Sequence, residues 1–306
     1  MKTLTATIVS ICTFSLASQL LAGFVETKQA GAWSDPNVWN WRNMTTEAPQ
    51  YPNTSDTTQI THGAIKNDVV VDLDVTMPLL FVSSRITLSE GKTLTLTGYN
   101  NNFLNMQSGS VLDIVNGKVA IVNTPNSLNF DSKNVSVSFE FGGYDADGNF
   151  HAAESGAFDI KFSADNGWVG FQSSDENSHL KYYLDNSNLS KEKLTNSGIV
   201  NIQTGKLGYL NSAVMLDLSN VNTSELDLGT YYVSLISYAA YYTGNIQAEK
   251  INVTATLAKG MEFLGLEMDG NSLYAKIQVN SVPEPATYAA LFGAFALLIA
   301  FRNRRK

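Results

Sequence analysis

Cysteine is all but missing: the chain holds one, Cys12, and it lies in an apolar N-terminal segment. Without that segment the chain has no disulfide, no thiol nucleophile and no cysteine-based zinc site. Arginine is nearly as scarce, with Arg42 and Arg85 the only two before the basic C-terminal end. The three histidines, His62, His151 and His179, lie far apart and share no ligand-type spacing. Gly-x-Ser-x-Gly, phosphate-binding glycine loops and dinucleotide fingerprints do not occur, so nucleophilic hydrolase and nucleotide chemistry are unsupported. Helical periodicity of ordinary length is also missing between the two ends. With abundant Asn, Ser, Thr and Gly, that lack predicts an all-β protein.

The two ends are different. Lys2 precedes a mostly apolar run from Ile8 to Leu21 that closes at Leu20-Leu21-Ala22, the pattern of a secretory signal peptide over residues 1–22, cleaved at about Ala22. No cysteine stands at that point to carry a lipid. At the other end, Ala286 to Phe301 is an apolar helix candidate preceded by Pro283 and Pro285, which cannot continue a helix backwards. Its 16 residues reach only about 24 Å at about 1.5 Å per residue, short for a bilayer core of about 30 Å. The cationic residues Arg302, Arg304, Arg305 and Lys306 follow directly. Under the positive-inside rule they stay cytoplasmic, so everything before Pro283 is exported.

Val282-Pro283-Glu284-Pro285-Ala286, the short apolar helix and the Arg-rich end together resemble the PEP-CTERM sorting signal of Gram-negative bacteria. The resemblance covers only the tail, 281–306, and implies processing by an exosortase, a membrane-embedded cysteine protease. It also implies passage through the secretion translocon, transient anchoring in the inner membrane by helix 286–301, and delivery to the cell surface or an extracellular polysaccharide matrix. A sortase substrate would carry Leu-Pro-x-Thr-Gly, and a GPI signal would end in its hydrophobic stretch. A plain, unprocessed anchor stays open as the alternative. Removing both ends takes Lys+Arg from 20 to 15 and Asp+Glu from 28 to 27, leaving about 12 net negative charges. That charge favours solubility and opposes nucleic acid and anionic lipid as partners.

The remaining chain divides into an N-terminal part, 23–141, and a second part, 142–280, of further β-rich coils or a second β domain. Between Ile60 and Phe141 lie short β-prone runs separated by Gly, Asn and Pro: Asp68 to Val75, Leu79 to Leu88, Thr93 to Thr97, Val111 to Val115, Lys118 to Val122 and Val135 to Phe141. Glu90 to Leu96 aligns with Ser108 to Ile114 at an offset of 18, placing Gly91 on Gly109, Leu94 on Leu112 and Leu96 on Ile114. A glycine turn followed by inward residues at alternate positions, about once per 20 residues, predicts a single-stranded right-handed parallel β-helix. β-Sandwich domains are the alternative, because they give the same alternation. Further runs fall at Gly198 to Gln203, Ala213 to Leu218, Tyr231 to Ser237, Ile251 to Leu257 and Ser272 to Val279, while Lys181 to Asn196 reads as a loop or one short helix.

Gly31 to Trp39, with Pro49, Pro52 and Asp56 to Gly63, resembles the opening segment of exported bacterial right-handed β-helix proteins. The resemblance implies that tryptophans pack over the open end of the first coil. The competing reading of Trp33, Trp39 and Trp41 is a carbohydrate contact, with Trp168 as a further aromatic. Leu228 to Ile236 and Asp269 to Tyr274 look like the final coils of autotransporter-like passengers.

Chemistry is hard to find in the remaining residues. Asp145, Asp147 and Asn149 offer oxygens at alternate positions, a calcium candidate, but the glycine comes too early for an EF-hand loop, which favours a solvated Asx-type turn. Asp72 and Asp74 are expected to alternate on one strand face. A β-helix lyase typically sets Arg or Lys beside an acidic cluster, and in sequence neither Arg42 nor Arg85 is near one. A glycosidase needs two carboxylates about 5 to 9 Å apart, and sequence cannot locate such a pair. The Asn-x-Ser/Thr sequons, the first at Asn43, are expected from composition alone. The expectation is therefore a non-enzymatic, cofactor-free structural or adhesive surface protein. Carbohydrate binding is the first alternative and a polysaccharide lyase or glycosidase the second.

Overall fold

Alternation of apolar and polar residues over a few positions, closed by Gly, Asn, Asp or Ser, produces strands with one buried face. The computed structural model describes residues 23–44, 48–55, 60–89, 91–99, 102–124, 127–132, 137–163, 167–173, 178–241, 246 and 248–280. The expected signal peptide and the C-terminal segment 281–306 lie outside them. Among the described residues the protein is all-β, apart from four single-turn 3₁₀ segments. No helix there is long and apolar enough to cross a membrane.

The strands form three large sheets, and the chain visits them in turn. Sheet I contains Trp39–Arg42, Gly23–Thr27, Ile60–Ile65, Leu80–Val82 and Leu104–Met106. Sheet II runs from Gly31–Ala32 through Val69–Val71, Arg85–Leu88, Ser110–Ile114, Val137–Phe141, His179–Tyr183 and Ala213–Leu218 to Val253–Leu257. Sheet III begins at Val75–Met77 and continues through Lys92–Leu96, Gly117–Thr124, Phe158–Phe162, Val200–Leu210 and Gly229–Tyr241. Within sheets II and III these strands pair in parallel. That pairing departs from the antiparallel ladders of a β-sandwich. A parallel strip made of Ser127–Ser132, Trp168–Ser173 and the later part of Val200–Leu210 follows sheet III in chain order, where sheet I stood in the earlier turns.

Successive turns lengthen along the chain. Near the start Val69 pairs with Ile86, and Val75 with Leu94. Further on Leu112 pairs with Phe139, a wider interval, and Phe139 with Leu180, more than twice the separation of the first pairs. The expected repeat therefore holds only for the first turns. The alignment at offset 18 is also corrected: Leu94 lies in sheet III against Val75 and Val119, and Leu112 in sheet II against Ile86 and Phe139. The two segments look alike because each follows a left-handed glycine corner. Gly91 (φ 70°) and Gly109 (φ 81°) occupy the same local geometry on different faces.

The corner between sheets II and III absorbs much of the added length. It spans 72–74 and 115–116 in early turns, then 142–157, 184–199 and 219–228. Asp72 and Asp74 belong to the first of these corners, correcting their expected place on one strand face. Asp72 accepts hydrogen bonds from Ser34, and Asp74 Oδ1 accepts from Thr93 N at 2.8 Å, so each ties one turn to the next. The run Asp68 to Val75 is thus two strands, and Leu79 to Leu88 is likewise split at Ser83-Ser84.

Inward residues form one continuous core. In sheet II, Ile86, Leu112, Phe139 and Leu180 stack across adjacent strands. Phe130, Phe139, Phe158 and Phe171 fill the wider turns, with centroids 5.1 to 5.9 Å apart. Gly205 (φ 94°) bends Val200–Leu210 from sheet III into the strip, where a Cβ would stand 2.6 Å from the Phe162 ring.

The N-terminal end is closed by Trp33 and Trp39, 0% and 3% exposed, with centroids 4.7 Å apart. Trp33 Nε1 donates to Pro52 O at 2.7 Å and Trp39 Nε1 to Trp33 O at 2.8 Å. Trp39–Arg42 pairs antiparallel with Gly23–Thr27 and covers its edge. Lys66 and Arg42 hold the Glu26 carboxyl down to about 2 and link this cap to the next turn. The C-terminal end closes differently from the expected parallel coils. Ser272–Val279 pairs antiparallel with both Gly229–Tyr241 and Met261–Asp269.

Candidate functional site

Three places were marked by sequence, and the structure treats each differently. Trp33 and Trp39 are buried, so neither ring has a face free for a sugar. Trp41 is half-buried against the core, and Trp168 meets Tyr209 edge-on at 5.4 Å. The Asp145 carboxylate is filled by donors: Oδ1 accepts from Asp147 N at 3.0 Å and Asn149 N at 2.8 Å. Oδ2 accepts from Asn149 Nδ2 at 3.0 Å and faces His151 Nε2 at 3.0 Å. These contacts hold Asp145 well below the usual carboxylate range, His151 foremost. Its oxygens serve the turn and its hairpin Gly143–Tyr144/Phe150–His151. Among the described residues no group of three His, Cys, Asp or Glu is placed to hold a metal. Pro283, Glu284, Pro285 and the basic residues 302–306 lie outside the described residues.

The charged cluster that sequence reasoning missed is on the outer face of sheet II. Its strands read Arg85-Ile86, Leu112-Asp113, Phe139-Glu140 and Leu180-Lys181, each pairing an inward apolar residue with an outward charge. Parallel register sets Asp113 beside Glu140 and Glu140 beside Lys181. Adjacent strands lie about 4.8 Å apart, so residues distant in sequence become neighbours. Arg85 Nη1 lies 2.6 Å from Asp113 Oδ2, Arg85 Nη2 is 3.8 Å from Glu140 Oε1, and His179 Nε2 is 3.7 Å from the same oxygen. Lys181 donates to Tyr183 Oη at 2.6 Å and sits 4.1 Å from that ring's centroid.

The two carboxyls are driven apart in acidity. Burial, then the Glu140 charge, pushes Asp113 up to about 6 against the pull of Arg85. His179, with Arg85 and Lys181 behind it, holds Glu140 below its ordinary value. Arg85 is therefore next to acidic residues in space, although no acidic cluster adjoins it in sequence. A shared strand pattern, polar then apolar then charged then apolar in Ser138 to Phe141 and His179 to Tyr182, was the available signal. Unequal spacing between the strands hides it.

A second feature is a cleft of about 460 Å³ at the widened corner of sheets II and III. Loops 150–155 and 187–199 form its walls, and Tyr232, Ser234 and Tyr274 of sheet III its floor. Ser190 and Tyr232 exchange backbone hydrogen bonds, 3.1 and 2.7 Å, that dock the loop on the sheet. Asn188 Nδ2 donates to Ala153 O at 2.7 Å and joins the two loops. Tyr274 Oη donates to Leu194 O at 3.1 Å. Compared with known proteins, the chain matches no family model, no curated protein and no solved structure.

Proposed function

We propose that this chain is an exported surface or matrix protein whose described region is a right-handed parallel β-helix with a structural or adhesive role. Its C-terminal segment is the sorting signal. One observation carries the reading: Pro283-Glu284-Pro285, a short apolar segment and a run of basic residues stand in that order in the sequence. The three-sheet parallel winding supports it, since a right-handed crossover is the rule for parallel strands. The tryptophan cap supports it too, because a displayed rod must block edge pairing at its end. Exosortase and the translocon are the partners during export, and extracellular polysaccharide is the partner afterwards. The test is Pro283→Ala with Pro285→Ala in the native host. A full-length, inner-membrane-bound form should accumulate; unchanged processing refutes the sorting claim.

A second reading, a polysaccharide lyase or glycosidase, is favoured by the Asp113–Glu140 pair. Neighbouring carboxyls with acidities pushed apart are the pattern of an acid and a base. It ranks second because the Arg85 guanidinium engages both, where a glycosidic oxygen would have to enter. Release of reducing or unsaturated ends from matrix polysaccharide, abolished by Glu140→Gln, would promote it over the structural reading.

A further inference from the structure

The widened corner holds a polar cleft that the structural role leaves unused. Its volume of about 460 Å³ falls in the range of small-molecule pockets. None of the residues lining it is Lys or Arg. Glu154 and Glu192 are its charged groups beside His151, in a chain already strongly acidic. That lining disfavours a uronate or any other anion. Serine and asparagine side chains line it together with the half-buried rings of Phe150 and Tyr232, the mixture that satisfies sugar hydroxyls on one side and sugar C–H faces on the other.

Ser234 gives the cleft a direction. Its hydroxyl is shielded from solvent and has no hydrogen-bond partner among the described residues, yet the residue lines the cleft floor. A shielded hydroxyl without a partner is unfavourable in the empty protein and is relieved when rotation of the Ser234 side chain brings it to a ligand group in the cleft. The surrounding walls are held in place by bonds that no ligand needs to supply. Asn188 is fixed to Ala153 and to Asp185 N, and Tyr274 to Leu194. Lys193, paired with Glu267 at 2.6 Å and Asp269 at 2.5 Å, stands 5.2 Å from the Tyr232 ring centroid and anchors it. Such preorganisation lowers the ordering cost of binding.

We propose that this cleft binds a neutral, hydroxyl-rich saccharide, with Tyr232 as the stacking platform and Ser234 as a buried hydrogen-bonding group. The proposal rests on the surface-adhesion reading only for where the saccharide is met. The cleft itself is independent of sorting.

The experiment uses the full chain in mild detergent on an array of neutral and uronic-acid oligosaccharides, followed by calorimetry with the best neutral binder. Neutral glycans should bind and uronates should not. Tyr232→Ala should weaken binding at least about tenfold. Ser155→Trp, at the exposed rim, should block it while leaving circular dichroism unchanged, which covers the case in which Tyr232→Ala perturbs the fold. Preference for uronates overturns the proposal, as does the lack of any glycan binding or binding unaffected by Ser155→Trp. Failure here with intact Pro283-dependent processing removes the cleft's role alone; the converse removes the sorting reading alone.

Discussion

The early turns and the late turns of this winding solve the same packing problem at different lengths. Between Ile60 and Leu96 the turns are short: Gly63 pairs with Leu80, Val69 with Ile86 and Val75 with Leu94. The corner there at 72–74 holds little beyond the bend itself. Between Val137 and Leu257 the separations roughly double, as in Phe139 with Leu180, Ile160 with Ile202 and Leu216 with Ala255. In that half the same corner swells to 142–157, 184–199 and 219–228. In sheet II strand register is preserved across the change, while the late strands of sheet III take up register shifts, so the core continues as one corner grows. A corner lies outside the ladder and can lengthen at little cost, since loop-closure entropy rises only slowly with length. The lesson is a division of labour: short corners make scaffold, and long ones make the cleft.

Trp33→Ala should produce the largest loss, about 3 to 5 kcal/mol, because a fully buried ring leaves a cavity at the end of the scaffold. Hydrogen exchange should rise in residues 23–88 far more than in 179–280, since each turn leans mainly on its neighbours. Uniform acceleration along the chain would mean that the two halves do not separate energetically.

Arg85→Ala tests the charged row that links them. It removes the cation between Asp113 and Glu140, leaving only His179 and Lys181 to offset their repulsion, and should cost about 2 to 3 kcal/mol. That is below the value for a fully buried pair because the guanidinium is 38% exposed. Chemical denaturation at pH 7.5 reads it directly.

Asp113→Asn should act in the opposite direction. A carboxyl whose folded value is about 6, above its ordinary 3.8, disfavours the fold when ionised. The penalty is fully present above about pH 6 and fades as pH falls toward 3.8. The variant should therefore be more stable than wild type at pH 7.5 by on the order of 2 kcal/mol, with the gain shrinking by pH 4.5. A gain independent of pH would exclude this electrostatic origin.

Tyr144→Ala, on the exposed hairpin of a long corner, should change stability by less than about 0.5 kcal/mol, because that ring is 54% exposed. A loss of about 2 kcal/mol or more in thermal melts would show that the long corners also carry the scaffold.

The all-β class and several strands of the second half, among them Ala213–Leu218 and Ser272–Val279, were legible because alternation and turn residues are local signals. Phe158–Phe162, Trp168–Ser173 and His179–Tyr183 were not. They stand among Gly, Asn and Asp residues that mask a short alternation. The tryptophan motif marked a special segment but left two readings open, because an aromatic residue packs equally well against a core or a sugar. Burial separates them for Trp33 and Trp39.

Local chemistry alone settles that this chain is β-rich, acidic, poor in thiols and arginine, and tipped by a proline-flanked apolar segment with a basic end. Those properties depend only on which residues are present and on their nearest neighbours in sequence. Which turn meets which, the placing of Arg85 between Asp113 and Glu140, and the opening of a cleft at one corner were decided by parallel register. Register is a long-range property: it brings Ile86 to Leu112 and Phe139 to Leu180 at unequal intervals along the chain. No fixed period in the sequence records those intervals, since each corner sets its own length while the strands stay aligned.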